Sequence, residues 1–299
     1  MINNLSASIL ARLKSKAKDE GIAFQQLLNL FFQEEFIRRL ALSNYREHLI
    51  LKGGFLLYAI SDFKTRPTVD ADYLLKNYSN ELDSVERLVR SIIDQKSEND
   101  YMDIGIRGIE AASEMREYQG IRVNLIGSLG KTRTPFSIDF GVGDAIFPKA
   151  LIRTLPVLLD GLEKPTVLTY SLESIISEKL DAIIRFMEVT GRMKDYYDIY
   201  FLATSFEFEG RKLREAIHET FSTRGTPFEK DSVLVIERLI ANEDFMTRWN
   251  NFCKKVLKYE LSFSEVVQLI VSFLEPPVQA IINKEELYKN WNSDKKRYQ

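Results

Sequence analysis

Residues 51–75, LKGGFLLYAISDFKTRPTVDADYLL, constrain the chain more than any other stretch. A Gly53-Gly54 pair opens a short apolar run of helical character. After Arg66, Pro67 and Thr68 comes a strand-like run holding Asp70 and Asp72. Residues two apart in a strand share a face, so the two carboxylates are expected side by side. Like charges that close repel unless a cation lies between them. All-oxygen ligands of this kind suit Mg²⁺, with substrate phosphates completing the shell. A helix that begins on glycines aims free N–H groups at an anion and lets a ligand approach the backbone closely. Phosphate and metal at one place point to nucleotide chemistry.

Three charged side chains further on stand where hydrocarbon is expected. Asp139 lies in the strand-like run 136–141, between Ile138 and Phe140. Burying an unpaired carboxylate there costs several kcal/mol. Asp139 is therefore either a third metal ligand beside Asp70 and Asp72, or a solvent-facing residue of an edge strand. Residues 172–188 form a helix whose apolar stripe contains Leu172, Ile175, Ile176, Leu180 and Ile183. At 100° per residue Lys179 falls inside that stripe, with Glu178 and Asp181 outside it. Lys179 must snorkel outward or meet an anion. The next helix, 193–203, is apolar nearly all round, yet it carries Asp195 and Asp198 on one face. Buried carboxylates want partners, and Arg192, Lys194 and Lys179 are the candidates. A structural ion pair between the two helices is the alternative to a functional role.

Composition narrows the field. The 299 residues carry a net charge of −2, so any nucleic-acid contact must be local rather than a generally basic surface. The single cysteine, Cys253, excludes an internal disulfide and fits a reducing cytoplasm. The first residues read as an amphipathic polar helix rather than a signal peptide, and no apolar run approaches the ~20 residues of a membrane span. The two histidines, His48 and His218, are far apart, and neither is expected in a metal cluster. Helical periodicity recurs at 5–42, 80–97, 211–221, 231–240, 243–259 and 262–274; Pro276-Pro277 is expected to stop the last of these. A polar helix is expected over 278–291. Lys131 and Arg133 are expected in a loop.

The landmarks Gly53-Gly54, Arg66-Pro-Thr68-Val-Asp70-Ala-Asp72, Ser177-Glu-Lys179 and Arg192-Met-Lys194-Asp195-Tyr-Tyr-Asp198 occur in an order that resembles the AbiEii/AbiGii toxin-like nucleotidyltransferases, the group that includes the MenT toxins. Phe55 departs from the Ser or Thr that many members place after the glycines. The resemblance implies an α+β fold. A nucleotidyltransferase-type mixed β-sheet domain flanked by helices, residues 1–160, would precede a helical bundle, residues 161–299, contributing Lys179 and Asp195 to the active site. It implies a catalytic set of Asp70, Asp72, Lys179 and Asp195. Nucleotide would be bound by Gly53, Gly54, Arg66, Thr68 and Lys179, and metal by Asp70, Asp72 and Asp139, with Arg192 and Asp198 in support. It also implies Mg²⁺, an NTP donor, and a tRNA or other RNA acceptor. The toxin would be cytoplasmic, with a separate AbiEi-like antitoxin and no membrane. A non-catalytic regulator on the same scaffold and NMP transfer to protein are the competing readings.

Overall fold

A computed structural model of the chain describes residues 2–99, 101–112, 120–189 and 192–299, with the side chains of 2–4 and 188 set aside. Thr190 and Gly191 lie outside the described residues. The chain divides into two compact units, 1–143 with 151–169, and 144–150 with 170–299.

The first unit begins with α1 (Ile2–Asp19) and α2 (Phe24–Leu42). Then follow β1 (Leu49–Lys52), α3 (Gly53–Ile60), β2 (Ala71–Leu75), α4 (Leu82–Ile93), β3 (Met102–Ala111), β4 (Ile121–Leu129), β5 (Thr132–Gly141), β6 (Leu151–Thr154) and β7 (Thr166–Thr169). The seven strands form one mixed sheet, ordered β3-β4-β5-β2-β1-β7-β6. Arg133, expected in a loop, lies in β5. The fully buried phenylalanines of α2 pack on the sheet: Phe32 stacks on Phe136 and Phe36 meets Tyr73 edge-on. Gly127 makes room for Phe32, whose ring occupies the space a Cβ would need. These aromatics are core, as their helical spacing requires.

The same helix carries a buried ionic knot. Arg38 donates to Glu35 at 2.5 Å, to Glu34 at 2.7 Å and to the Glu163 carbonyl at 2.9 Å. Glu34 also accepts from the Leu158 N–H at 2.6 Å, so α2 holds the loop between β6 and β7. Arg39 ties Glu35 to the carbonyls of Ile93 and Met102. Burial pushes the Glu34 carboxyl up to about 7 against the pull of Arg38.

The second unit contains α5 (Leu172–Phe186), α6 (Met193–Ser205), β8 (Phe208–Glu209), α7 (Gly210–Arg224), α8 (Glu243–Phe252), α9 (Phe263–Ile282), β9 (Asn290–Asn292) and β10 (Arg297–Tyr298). In place of the α-helix expected over 231–240 stands a 3₁₀ helix, Leu234–Ala241, and α5 ends at Phe186, before a short 3₁₀ turn. The helix expected over 243–259 ends at Phe252 and gives way to one π turn, Cys253–Leu257.

The larger correction concerns α9, which runs through Pro276 and Pro277 instead of stopping before them. A proline inside a helix removes one i→i−4 hydrogen bond. For Pro277 the orphaned acceptor is the Phe273 carbonyl, and the Tyr298 hydroxyl donates to it at 2.9 Å. Burial pushes the Tyr298 phenol far up, so it remains a neutral donor. Of the polar helix expected over 278–291, only 278–282 are helical, as the end of α9; turn and coil follow, then the strands β9 and β10 that bring Tyr298 there. Trp291, fully buried, anchors them by donating to the Ala203 carbonyl at 2.7 Å. At 20 residues α9 is also, by length and composition, apolar enough to cross a membrane, contrary to the sequence expectation; 56% of its apolar window is buried within the protein.

Two stability experiments follow. Tyr298→Phe should cost about 1–3 kcal/mol, the scale for a buried carbonyl left without its donor, read as a lowered Tm. Glu34 binds its proton more tightly folded than unfolded, so stability should fall as pH rises from 4.5 to about 7. Glu34→Gln, with one acceptor oxygen fewer, should lower Tm overall and flatten that slope in melts across the same range.

Candidate active site

In the first unit a cross-strand row carries the charges. Lys52 of β1 pairs with Asp72 of β2, Asp72 pairs in parallel register with Asp139 of β5, and Asp139 pairs with Arg122 of β4. Register partners share a face. The two carboxylates therefore lie on neighbouring strands, flanked by a cation on either side. Arg122 grips Asp139 with two hydrogen bonds, 2.8 and 2.7 Å, and that pairing holds the guanidinium far above its ordinary value. Asp139 is 6% exposed, which excludes the solvent-facing alternative. Arg122 was missed from the sequence. Its signal was the alternation of β4, which puts residue 122 on the carboxylate face.

One step along the strands runs a second row. Asp70 sits just before β2 and accepts from the Ser137 hydroxyl at 3.3 Å. Ser137 pairs with Asn124, and Asn124 with Gly108. Asp70 and Asp72 thus share the face of Asp139, as two-residue spacing demands.

The glycines are fixed by what they touch. Gly53 has φ +69°, and a Cβ there would run into the Asp72 carboxylate. A Cβ on Gly54 would lie 2.8 Å from the Thr68 hydroxyl and 3.6 Å from the Arg66 guanidinium. Bare backbone at the start of α3 is thereby laid against Asp72, Thr68 and Arg66. The N-cap residue of α3, Lys52, makes no side-chain capping hydrogen bond. Phe55 is 2% exposed and belongs to the core, so no side-chain hydroxyl follows the glycines. Asp70 and Asp72 offer an oxygen-only donor set on one face, which fits a hard divalent cation. Asp139 fits the same set by position, but its oxygens are held by Arg122.

In the second unit, Ser171 caps α5 by accepting from the Ser174 N–H at 3.1 Å. Lys179, 11% exposed, does not snorkel: it lies 2.9 Å from Asp195 and 2.6 Å from Asp198. Arg192 bonds the second oxygen of Asp195. Burial raises the Asp195 carboxyl, but Lys179 and Arg192 outweigh it and hold the group well below the carboxylate range. Two cations and two anions form a neutral quartet joining α5 to α6. Asp181, expected outside the apolar stripe, is 1% exposed. It is neutralised by Arg224 at 2.9 Å and bonded by Thr226. Arg224 also bonds Asp144 at 2.7 Å.

His218 departs from expectation as well. With Glu215 and Glu219 on α7 it forms a group whose ligand atoms lie within 4.8 Å of one another. The group is partly to fully open to solvent and stands in the second unit.

The sequence model of the AbiEii family, the nucleotidyl transferase toxins of type IV toxin–antitoxin systems, matches residues 35–282. The chain belongs to this family. Among solved structures, this AbiEii-family protein is similar to MenT4, a nucleotidyltransferase toxin from Mycobacterium tuberculosis, at 15% identity and TM-score 0.55 over 93% of this chain and 99% of that one. It is also similar to JHP933 from Helicobacter pylori, at 15% identity and TM-score 0.49 over 88% and 97% of the two chains. The likeness to MenT4 shows a shared fold. No curated protein sequence matches the chain.

The glycine constraint in the AbiEii protein has a direct test. Gly53→Ala forces a Cβ onto Asp72 at positive φ. It should destabilise the fold by more than ~1 kcal/mol, beyond the usual glycine-to-alanine range, read by denaturant unfolding.

Proposed function

We propose that this AbiEii toxin transfers a nucleotide from an NTP to an RNA 3′ end, that of tRNA by resemblance, and so inhibits translation. The observation that carries the reading is the in-register Asp72–Asp139 pair beside the Gly53-Gly54 start of α3. The NTP phosphates would rest on the N–H groups of that start, with Arg66 and Thr68 alongside. Asp70 and Asp72 would hold Mg²⁺. Such an ion, when bound, neutralises phosphate charge and orients in-line attack. Asp139, released from Arg122, would join that set or receive the acceptor proton. The acceptor hydroxyl oxygen forms a bond to the α-phosphorus, the bond from that phosphorus to the bridging oxygen breaks, and pyrophosphate leaves. The hydroxyl proton passes to a carboxylate or to water.

Lys179 and Asp195 are proposed to serve the same reaction. Asp195 and Asp198 ion-pair with Lys179, and a phosphate oxygen is an anion that could replace one of them as its partner. As a type IV family member the toxin implies an antitoxin encoded alongside. We propose that this is a separate AbiEi-like protein, and that both act in the cytoplasm.

The experiment supplies purified protein with Mg²⁺, total tRNA and each α-labelled NTP in turn. The parent should label RNA. Asp72→Asn should lose about 10²- to 10³-fold in rate, the scale of one lost transition-state charge contact, with an unchanged circular-dichroism spectrum. Label in protein would overturn the RNA acceptor. Equal labelling by parent and variant, or none by either, would overturn the transferase.

A further inference from the structure

A cavity of about 480 Å³ opens in the first unit beside the carboxylates, and none of the residues above explains it. Arg107, Gly108, Asn124, Ser137, Pro135 and Val69 line its outer side, and Asn29 of α2 with Leu125 and Phe136 its inner wall. Its polar floor is the second row: Gly108 pairs with Asn124, Asn124 with Ser137, and Ser137 bonds Asp70. Arg107 is the extra residue where the β3–β4 register shifts between Ile106 and Gly108. Such bulges re-aim a side chain and recur next to active sites. The volume is in the range of a small-molecule site.

Strand order gives the cavity a role. Gly53-Gly54 closes β1, the carboxylates lie on β2 and β5, and the cavity lies over β5, β4 and β3. The phosphate-binding turn and the cavity are therefore on opposite sides of Asp70, Asp72 and Asp139. In-line displacement places the entering oxygen and the leaving group on opposite sides of the phosphorus. With pyrophosphate leaving over the glycines, the entering oxygen arrives from the cavity side. From β2 to β4 is about 10 Å, two strand spacings, which one nucleotide spans.

We infer that this cavity holds the 3′-terminal nucleotide of the acceptor strand; the inference rests on the transferase reading above. Arg107 takes the phosphate on the 5′ side of that nucleotide, since a guanidinium matches two phosphate oxygens at once. Asn124, whose amide nitrogen donates to Glu110 at 3.1 Å, presents its carbonyl oxygen to the edge of the base, and Pro135 and Val69 give apolar surface at its rim. A protein hydroxyl would have no use for the guanidinium, so the arrangement favours a nucleic acid.

Gly108 supplies a steric test. A Cβ there meets nothing within 4 Å, so a large side chain can enter the cavity without disturbing the sheet. Binding of a 3′-fluorescein-free, 5′-labelled single-stranded RNA is read by anisotropy, and binding of a fluorescent NTP analogue separately. Both are measured on the full chain, the Gly108→Phe variant and Arg107→Gln. Both variants should bind the RNA at least tenfold more weakly and raise its KM by a similar factor. NTP affinity and Tm should stay within twofold and within a degree or two of the parent. RNA affinity unchanged in both variants would overturn the inference, as would a loss of NTP affinity in place of RNA affinity. Failure of the underlying reading looks different: the parent itself then transfers no label, whatever the RNA affinities.

Discussion

Everything at the site of the first unit depends on two carboxylates held opposite each other on adjacent parallel strands. Neighbouring strands in a sheet lie about 4.8 Å apart, so Asp72 and Asp139 repel across β2 and β5. The fold answers with Lys52 opposite Asp72 and Arg122 locked onto Asp139, a row of + − − + across four strands. Register fixes this arrangement: a one-residue slip of β5 would send Asp139 into the α2 core. The ionic knot of α2 and the stacked Phe32 and Phe136 hold that register from the opposite face of the sheet. The glycines then bring bare backbone at the start of α3 against one of the carboxylates. A region of opposed charges that must be neutralised is also one that a phosphate and a cation can enter with little loss, since they replace partners already present.

The second unit solves a similar problem with side chains from two helices. A lysine inside a hydrocarbon stripe is tolerated because Asp195 and Asp198 meet it and Arg192 completes the balance. Removing one member leaves an uncompensated buried charge, which is costly. The quartet therefore cannot be judged by its contribution to stability alone. It sets the Lys179 amine between two carboxylates at 11% exposure, where attraction between opposite charges is little screened by water.

Local patterns made much of this legible in the sequence. Two-residue spacing placed Asp70 and Asp72 on one face, and the apolar neighbours of Asp139 singled it out, though only its 6% exposure decided against a solvent-facing edge. The 100° rule isolated Lys179. Partners distant in sequence were not legible. Arg122 acts through the register of β4 against β5, which alternation hints at but does not fix. Arg224 neutralises Asp181 and reaches Asp144 from a helix forty residues on. Pro276-Pro277 looked like a stop because the donor that relieves it, Tyr298, lies beyond the helix end and arrives by tertiary folding. The interleaving of 144–150 and 151–169 between units leaves no compositional mark either.

The central claim is that the β2–β5 carboxylates are the cation site. Anomalous diffraction at the manganese edge, from crystals of the protein soaked in Mn²⁺ and a non-hydrolysable NTP analogue, tests it most directly. The account predicts a peak ligated by Asp70 and Asp72, with the analogue's phosphates against Gly53 and Gly54. A peak at Glu215, His218 and Glu219 alone, with none beside Asp72, would contradict it.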